Sequence, residues 1–406
     1  MKPLRVLPTA LPRLMVLLFA AWSGVSGQIL KITVTNPSDF ARRNEPVAVD
    51  WSDVVRRLPL AEPQHLRLQD EGGQRIQCQV DDMDRDGTPD QLVFAVDIGP
   101  RQRRVYALKP VASGETWPAS GEYRTDAQDW KRVNGVLQSL DDDDGPGLKR
   151  DQTLYRFDGV GWESEVVGYR LYLDERNAVD IQGKRKPGLY WKYIGTSSVD
   201  YQQDADWGMD VLHVGPAFGV GGIGFWIGDS VLKPLSLDRR RCQIVSRGPV
   251  RAVIRVDYTG WVLGGEKVDA TSIFTILAGD RISEQHITLR KGQSPAIIAT
   301  GIVKNDSAAA VWNGDAAWLY TLGRQSRAND SLLMALMFSP ADVIRRTDNA
   351  SDHLVLLRIE EGSPVTFLIA AVWQGETGTM WDEAQIKEYV DHAARRLKEP
   401  LQVQPQ

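Results

Sequence analysis

Short runs of β-branched and aromatic residues, separated by turn residues, follow one another along almost the entire chain. Early examples are "KITVTN", "PVAVDW" and "QLVFAVDI", and later ones are "VRAVIRVDYTGW", "ATSIFTILAG" and "VTFLIAAVW". Closely spaced strands with turn residues between them are typical of β-sandwiches, whereas a helix would show an apolar period near 3.6 residues. Helical periodicity is nearly absent before the C-terminal region, so the sequence predicts a mostly β fold.

The length and spacing of the strands change along the chain and indicate two β domains. Short strands over residues 28–112 predict a small N-terminal β-sandwich. A polar stretch with scattered glycine and proline over residues 113–129 is interpreted as a linker. Longer strands over residues 130–378 predict a large sandwich of two extended sheets, and a chain of 406 residues is long enough for both units.

One helix is predicted over residues 379–398, close to the C-terminus. Thr379 is the candidate N-cap, and Asp382 follows three residues later in a variant of the capping box. An apolar stripe at helical spacing indicates that one face of the helix packs on the sandwich. The stripe consists of Ile386, Tyr389, Val390, Ala393 and Leu397. Residues 399–406 are interpreted as a tail.

Residues 1–27 have the pattern of a secretory signal peptide. Lys2, Arg5 and Arg13 precede the apolar run from Leu14 to Trp22, and small residues follow. A bilayer span needs about 20 apolar residues, so this run is too short to cross. We expect a periplasmic or secreted protein with no stable membrane insertion after cleavage, and an uncleaved anchor is the alternative. The net charge of −5 gives no reason to expect a nucleic-acid partner.

The two cysteines, Cys78 and Cys242, leave two possibilities open. Export permits a disulfide bond between them, which would tie distant parts of the chain together. The alternative is two separate thiols, each within a strand.

The stretch "DDMDRDGTPDQLVF" (81–94) alternates acidic residues with others and then turns apolar. Calcium prefers carboxylate and carbonyl oxygens, and alternate residues of a tight loop can point towards one centre. The predicted ligands are the side chains of Asp82, Asp84, Asp86 and Asp90 and the backbone carbonyl of Thr88. Val93 stands where an EF-hand has its glutamate, and both flanks have strand patterns, so the sequence predicts a strand-flanked loop that binds structural Ca²⁺. A solvated acidic turn is the alternative.

The stretch "GWESEVVGYRLYLD" is interpreted as one strand, which places Glu163, Glu165 and Tyr169 on an otherwise apolar face and Arg170 on the other. Buried carboxylates cost free energy unless they are paired or functional. In a cleft, either glutamate would bind sugar hydroxyls or act as an acid, Tyr169 would move a proton, and Arg170 would hold a substrate carboxylate. The alternative is that the glutamates form structural ion pairs.

Two further stretches carry candidate residues for binding and proton transfer. In "YQQDADWGMDVLHVGPAFGVGGIGFWIGD", His213 is a candidate general base, and Asp206 and Trp207 are candidate sugar contacts. The glycines of this stretch have no strand–turn–helix around them, so no nucleotide cofactor is expected. On two strands that could be neighbours, Arg255 would hold a carboxylate and His286 would contact substrate. A cross-strand salt-bridge ladder is the alternative for this pair of strands.

Four of these stretches, in this order, resemble a family of exported bacterial proteins grouped as domain of unknown function 4861. They are "DDMDRDGTPDQLVF", "GWESEVVGYRLYLDERNAVDIQGK", "DWGMDVLHVG" and "GPVRAVIRVDY" followed by "GDRISE". The resemblance covers nearly the whole chain after the signal peptide. It implies a galactose-mutarotase-like super-sandwich and a carbohydrate ligand, since members resemble polysaccharide-utilisation proteins associated with uronic-acid-containing glycans.

Together these features predict an exported carbohydrate-active enzyme that acts on uronate-containing oligosaccharides by lyase or dehydratase chemistry. A glycan-binding protein without catalytic activity is the first alternative, because the same cleft could bind without turnover. A structural exported protein held by calcium is the second.

Overall fold

The computed structural model describes residues 28–111, 123–146, 150–151, 153–195, 201–292, 295–377 and 380–406. The predicted signal peptide, most of the predicted linker and Thr379 lie outside these residues. Over the described ranges the chain is mostly β with a C-terminal helix, and the predicted fold class is confirmed. No helix in these ranges is both long enough and apolar enough to cross a bilayer.

The N-terminal part of the chain forms seven strands and one short helix. They are β1 (Leu30–Thr35), β2 (Arg42–Asp50), α1 (Trp51–Arg57), β3 (Leu66–Gln69), β4 (Arg75–Ile76), β5 (Cys78–Asp81), β6 (Gln91–Ile98) and β7 (Arg103–Pro110). The central part continues with β8 (Thr125–Gln128), β9 (Trp130–Val133), β10 (Val136–Ser139), β11 (Asp142–Pro146), β12 (Gly159–Ser164), β13 (Val167–Tyr172), β14 (Val179–Lys184), β15 (Gly208–Asp210), β16 (Val220–Ile227) and β17 (Ser230–Leu232).

The remaining elements are mostly long strands. They are β18 (Arg239–Ser246), β19 (Arg251–Leu263), β20 (Glu266–Leu277), β21 (Ser283–Lys291), β22 (Ala296–Val303), β23 (Ala308–Asn313), β24 (Trp318–Gly323), β25 (Leu332–Phe338), β26 (Val343–Asp348), β27 (Asp352–Ile359) and β28 (Val365–Trp373), then α2 (Gln374–Thr377), α3 (Glu383–Lys398) and β29 (Gln402–Pro405).

The small domain is a sandwich of a five-stranded sheet, in the order β29-β1-β7-β3-β4, and a three-stranded sheet, in the order β2-β6-β5. Alternate apolar residues of both sheets form its core, among them Ile32, Val49, Phe94 and Leu108. Strand β29 pairs antiparallel with β1, so residues interpreted as a tail complete a sheet of the first domain instead. The first and last of the described strands therefore both belong to the small domain.

The large domain places one nine-stranded sheet, in the order β11-β18-β19-β20-β21-β28-β25-β24-β23, against a layer of two five-stranded sheets. The first five-stranded sheet has the order β15-β14-β13-β12-β8, and the second has the order β17-β16-β22-β27-β26. One large apolar core contains side chains from all three sheets. Strand β8, which the sequence placed in the linker, is an edge strand of the first five-stranded sheet, so the linker ends before Thr125.

Helix α3 begins at Glu383 because Asp382 is its N-cap. The Asp382 side chain accepts from the Gln385 backbone N–H, and the Gln385 side chain accepts from the backbone N–H of Asp382, which completes a capping box. The predicted N-cap at Thr379 is therefore replaced by Asp382. The predicted apolar stripe is confirmed, since Ile386 and Val390 are buried against strands of the nine-stranded sheet.

Arg251, at the start of β19, is one of several residues that join the two domains. The Arg251 Nε lies 2.7 Å from the Asp81 carboxylate, and its Nη2 donates to Gln91 Oε1 at 2.9 Å. Val93 and Val250 pack together beside this polar contact. The strands that flank the acidic loop thus form part of the domain interface. The cysteines lie in different domains, on β5 and β18, and are separate buried thiols, as in the second of the two possibilities.

Candidate functional site

One face of the first five-stranded sheet packs on the apolar core, and its other face is polar. Along β13, Tyr169 and Leu171 enter the core, so Arg170 and Tyr172 lie on the opposite side. The antiparallel register places Arg170 beside Asp180, and Gln182 beside Asp210. We call this side the polar face, and it consists of Asp126, Gln128, Glu163, Arg170, Tyr172, Asp180, Gln182, Lys184 and Asp210.

The polar face is buried although it is polar, because residues 185–195 and 201–207 pack over it. We call these residues the cover segment. The Trp191 ring lies on two glycines of the sheet: a Cβ at Gly161 would come within 2.4 Å of the ring, and one at Gly168 within 3.1 Å of Trp191 Nε1. The two glycines therefore make room for the indole. Tyr190, Tyr201 and Trp207 pack partly buried around it.

Arg170 is the centre of a buried ionic cluster on this face. Its Nη2 lies 2.5 Å from Asp180 Oδ2 and 3.5 Å from Asp210 Oδ2, and it donates to the Tyr172 hydroxyl at 2.6 Å. The Tyr172 hydroxyl also donates to Asp180 Oδ2 at 2.9 Å. Two carboxylates and a phenol thus surround one guanidinium group, and the Tyr201 hydroxyl lies 3.5 Å from Arg170 Nη1.

Asp210 is the second carboxylate of this cluster, and its surroundings strongly raise its pKa. It is completely buried, and burial together with the Asp180 charge raises the pKa of Asp210 well above the ordinary range of aspartate. Arg170 and Arg327 act in the opposite direction but do not reverse the shift. Arg327 is partly exposed and its Nε lies 3.5 Å from Asp210 Oδ1, so the cluster reaches solvent at this arginine.

Several buried polar atoms of this region have no hydrogen-bond partner among the described residues. They include both side-chain amide atoms of Gln182, Asp210 Oδ2, Arg170 Nε, Trp191 Nε1 and Trp207 Nε1. Gln182 and Asp210 are cross-strand neighbours, and the Trp191 indole and the Gln182 side chain meet above Gly168. Buried polar groups are nearly always satisfied in folded proteins. A contiguous set of unsatisfied donors and acceptors therefore points to a polar ligand or bound water.

Glu163 holds the cover segment in place. Its Oε2 accepts from Lys184 Nζ at 2.5 Å, and its Oε1 accepts from the Trp191 backbone N–H at 2.8 Å. Lys184 also donates to the backbone carbonyl of Gly188 at 2.7 Å. Burial raises the pKa of Glu163 and lowers the pKa of Lys184, and each is opposed by the charge of the partner. Both glutamate oxygens are thus occupied by the ion pair and the cover segment.

The other two residues of the same predicted strand lie elsewhere. The chain turns at Glu165 and Val166, so residues 163–172 belong to two strands of a hairpin and not to one strand. Glu165 lies at this turn, pairs with Arg124 and accepts from the Gly279 backbone N–H at 2.6 Å. Tyr169 lies in the core, where its hydroxyl donates to the Arg281 carbonyl at 2.7 Å, and burial raises its pKa. The predicted face of Glu163, Glu165 and Tyr169 does not exist.

The three candidate residues of the glycine-rich stretch lie near the polar face, but they differ in exposure and in what they contact. Trp207 belongs to the cover segment, with its ring centroid 5.4 Å from that of Tyr190. Asp206 is fully exposed and lies 3.9 Å from Lys186 Nζ. His213 is exposed and follows Leu212, whose carbonyl accepts from Arg327 Nε at 3.1 Å. His213 is thus adjacent in the chain to the exposed end of the Arg170 cluster.

Arg255 and His286 lie on the outer side of the nine-stranded sheet, across the core from the polar face. Arg255 Nε lies 3.0 Å from Asp257 Oδ2 on its own strand, and Arg290 approaches the same carboxylate from β21. His286 Nδ1 lies 2.9 Å from Thr366 Oγ1, and burial lowers the pKa of its imidazole. This arrangement corresponds to the alternative of a cross-strand ladder, and the structure does not bring these two residues to the site.

Sequence reasoning missed Asp180, Gln182 and Lys184. They alternate along "VDIQGK" with residues that enter the core, yet every residue of β14 is buried. A strand with polar residues at alternate positions normally indicates a solvated face, and the sequence contains no sign that the segment after β14 folds back over it. Asp210 lies within the quoted glycine-rich stretch, but its ion-pair partners, Arg170 and Arg327, come from β13 and from the loop after β24.

The acidic loop brings three of its predicted ligands together. One oxygen from each of Asp82, Asp84 and Asp86 can be chosen so that the three lie within 4.8 Å of one another, a spacing that fits a cation. Asp90 is turned towards the backbone, and its Oδ2 accepts from Met83 N at 2.6 Å. The carboxylates of the first three residues thus fit Ca²⁺, which stays a prediction.

Comparison with known proteins identifies the family. The family described as domain of unknown function (DUF4861) matches residues 34–403, nearly the whole chain. The chain belongs to the DUF4861 family. The resemblance inferred from the motifs is therefore confirmed.

A curated relative of this DUF4861 chain is a protein of Formosa agariphila named "Uncharacterized protein P7". It is 22% identical over 413 residues, which cover 95% of this chain and 96% of that protein. Similar solved structures include an α-mannosidase from Enterococcus faecalis V583, with 10% identity and a TM-score of 0.49, and an Enterococcus faecalis protein of glycosyl hydrolase family 38, with 10% identity and a TM-score of 0.48. Each match covers 93% of this chain but only 46% and 47% of those two proteins, so the chain spans less than half their length. Both scores are too low to inform function.

The buried pair of Glu163 and Lys184 generates a prediction about stability. Replacing Glu163 by leucine leaves the lysine ammonium buried without its counter-charge, and we expect the free energy of unfolding to fall by about 3 kcal/mol or more. Urea denaturation followed by circular dichroism measures this change. The double variant Glu163→Leu, Lys184→Met removes both charges and should recover most of the loss. A single variant as stable as the parent protein would contradict the structural role of the pair.

The acidic loop of this DUF4861 protein generates a second prediction. Because Ca²⁺ would bind only the folded loop, chelation with EDTA should lower the melting temperature, and added Ca²⁺ should restore it. Asp84→Ala should abolish this sensitivity, whereas Asp306→Ala, in an exposed turn elsewhere, should retain it. If EDTA leaves the melting temperature of the parent protein unchanged, the loop is an acidic turn without an ion.

Proposed function

We propose that this protein is an exported carbohydrate-active enzyme that acts on uronate-containing oligosaccharides at the polar face of the first five-stranded sheet. The observation that carries the proposal is the contiguous set of buried hydrogen-bonding atoms without partners among the described residues. This set includes the Gln182 amide and Asp210 Oδ2, beneath the aromatic cover segment.

Sugars match this combination of groups. Each sugar hydroxyl both donates and accepts, so an amide with both functions free, an indole N–H and a carboxyl oxygen can bind neighbouring hydroxyls. Aromatic rings provide apolar faces for the C–H side of a sugar ring, and the partly buried rings of Tyr190, Tyr201 and Trp207 supply them here. Binding sites commonly combine such aromatic surfaces with a few convergent polar groups.

The charges of the cluster favour an anionic sugar. When Asp210 is protonated, Arg170 and Arg327 outweigh the single charge of Asp180, and the cluster has a net positive charge. Arg327 is the partly exposed member, and a guanidinium group can bind a carboxylate through two parallel hydrogen bonds. We assign the uronate carboxylate to Arg327, in place of the predicted Arg170 or Arg255, whose guanidinium groups are already paired.

Lyase or dehydratase chemistry requires removal of the proton next to that carboxylate. An arginine that neutralises the carboxylate makes this carbon-bound proton more acidic, because negative charge builds up on the carboxylate as the proton leaves. His213 is the proposed base, since it is exposed and belongs to the segment that Arg327 contacts through Leu212.

A glycan-binding protein without turnover is the second candidate. One observation favours it: Arg170, Tyr172 and Asp180 are hydrogen-bonded to one another in a buried network, which can orient a bound sugar without any proton transfer.

The proposal predicts binding and conversion of acidic oligosaccharides. Incubation with a panel of oligosaccharides that contain saturated uronate residues, followed by mass spectrometry, should show loss of water or cleavage. Gln182→Leu should weaken binding about tenfold in isothermal titration calorimetry, because two hydrogen bonds of about 1 kcal/mol each are removed and partly replaced by apolar contact. Gln285→Leu, the same change at a buried glutamine of the nine-stranded sheet, should leave affinity unchanged.

The outcomes separate the candidates. Binding that depends on Gln182 but never leads to conversion would favour the glycan-binding protein. Neither binding nor conversion across neutral and acidic oligosaccharides would contradict both candidates.

A further inference from the structure

Asp210 differs from the other carboxylates of the polar face in one respect. Asp180 Oδ2 accepts from Arg170 and Tyr172, and its Oδ1 accepts from the Ile181 backbone N–H at 2.9 Å. Both oxygens of Glu163 are occupied as well. Asp210 Oδ1 accepts from Leu212 N at 3.2 Å, but Oδ2 accepts no hydrogen bond from any described residue. Asp210 therefore keeps one oxygen available for a ligand.

The backbone around Asp210 holds this carboxyl group in a fixed position. Asp210 pairs with Gln182 across the sheet, and the Asp210 backbone N–H donates to the Tyr201 carbonyl of the cover segment at 2.8 Å. Asp210, on the edge strand β15, thus links the sheet to the cover segment and lies beside the Gln182 amide. A sugar hydroxyl bound by Gln182 would lie next to Asp210 Oδ2.

We propose that Asp210 is the proton donor of this site and protonates the oxygen that leaves the sugar. This inference rests on the proposed function, because a proton donor needs a reaction to act in. The role of Asp210 differs from the prediction from sequence, in which Glu163 or Glu165 is the acid.

The charged and titratable groups that face Asp210 come from β14 and β13, the next two strands of the sheet, and from two loops. They are Arg170 and Tyr172 on β13, Asp180 on β14, Arg327 on the loop after β24, and Tyr201 of the cover segment. Burial and the Asp180 charge raise the pKa of Asp210, so the proton stays on this carboxyl group at a pH where an ordinary aspartate has lost it. The donor form is therefore present below the raised pKa and is lost as the pH increases through it.

The proposed step balances as an elimination of water. His213 takes the proton from the carbon next to the uronate carboxylate, and the electron pair of that C–H bond forms the new C=C bond. The C–O bond at the neighbouring carbon breaks, and its electron pair leaves with the hydroxyl oxygen. Asp210 gives its proton to that oxygen, and the product is water. Transfer of the proton from His213 to Asp210 through solvent restores both groups.

The experiment compares turnover, affinity and pH dependence for variants of the full-length protein with an oligosaccharide that ends in a saturated uronate, which has a C–H bond next to the carboxylate and a hydroxyl group on the neighbouring carbon. Asp210→Asn keeps the shape of the side chain but has no proton to give, and we expect kcat to fall about 100-fold or more while the dissociation constant changes less than about threefold. Asp257→Asn, an ion-paired aspartate on the outer side of the nine-stranded sheet, should leave both values unchanged.

A second variant tests the role through pH dependence, and it applies if Asp210→Asn does not fold. The kcat/KM of the parent protein should fall on the alkaline side as Asp210 loses its proton. Asp180→Asn removes the neighbouring charge that raises the pKa of Asp210, so this alkaline limb should move to lower pH. A limb that does not move would overturn the assignment.

The outcomes distinguish a failure of the donor role of Asp210 from a failure of the proposed function. Full turnover by Asp210→Asn would overturn Asp210 as proton donor and leave the proposed function intact. If the parent protein binds no uronate oligosaccharide and converts none, the proposed function fails and the donor role fails with it. Loss of turnover with retained affinity, together with the shifted alkaline limb, would support the donor role.

Discussion

The structure depends on the burial of a polar sheet face. Antiparallel register places Arg170, Asp180, Gln182 and Asp210 side by side on the first five-stranded sheet, and the cover segment removes them from water. Removing charges from water costs several kcal/mol for each ion, unless close partners compensate. The ion pair with Arg170 compensates the burial of Asp180, and the ion pair with Lys184 compensates the burial of Glu163. The same burial leaves the Gln182 amide and one oxygen of Asp210 without hydrogen-bond partners among the described residues, and these atoms define the candidate site.

Much of the fold could be predicted from the sequence because strand patterns are local. The alternation of apolar residues predicted two β domains and the C-terminal helix. The alternation pattern could not reveal the hairpin at Glu165–Val166, because the pattern continues across the turn. The stretch "WESEVVGY" also has no proline, asparagine or glycine at the turn positions. Strand β29 was interpreted as a tail because its partner, β1, is far away in the sequence, and a local pattern does not reveal such a pairing.

The site was only partly predictable, since its geometry depends on contacts between distant residues. Arg170, Glu163 and Trp207 were identified as candidates, and the structure places all three on or above the polar face. The partner of Glu163 is a lysine on the next strand but one, and the two ion-pair partners of Asp210 lie on β13 and on the loop after β24. Arg255 and His286 had equally suggestive alternation but belong to the outer side of the opposite sheet. Alternation alone cannot tell an exposed polar face from a covered one.

A crystal structure of the protein soaked with a uronate oligosaccharide would test most directly whether the polar face is the binding site. We expect a sugar ring on the polar face, with hydroxyls within hydrogen-bond distance of the Gln182 amide and Asp210 Oδ2 and the carboxylate nearest to Arg327. A sugar bound instead on the outer side of the nine-stranded sheet, beside Arg255 and His286, would contradict it. So would a soaked structure in which ordered waters alone satisfy Gln182 and Asp210.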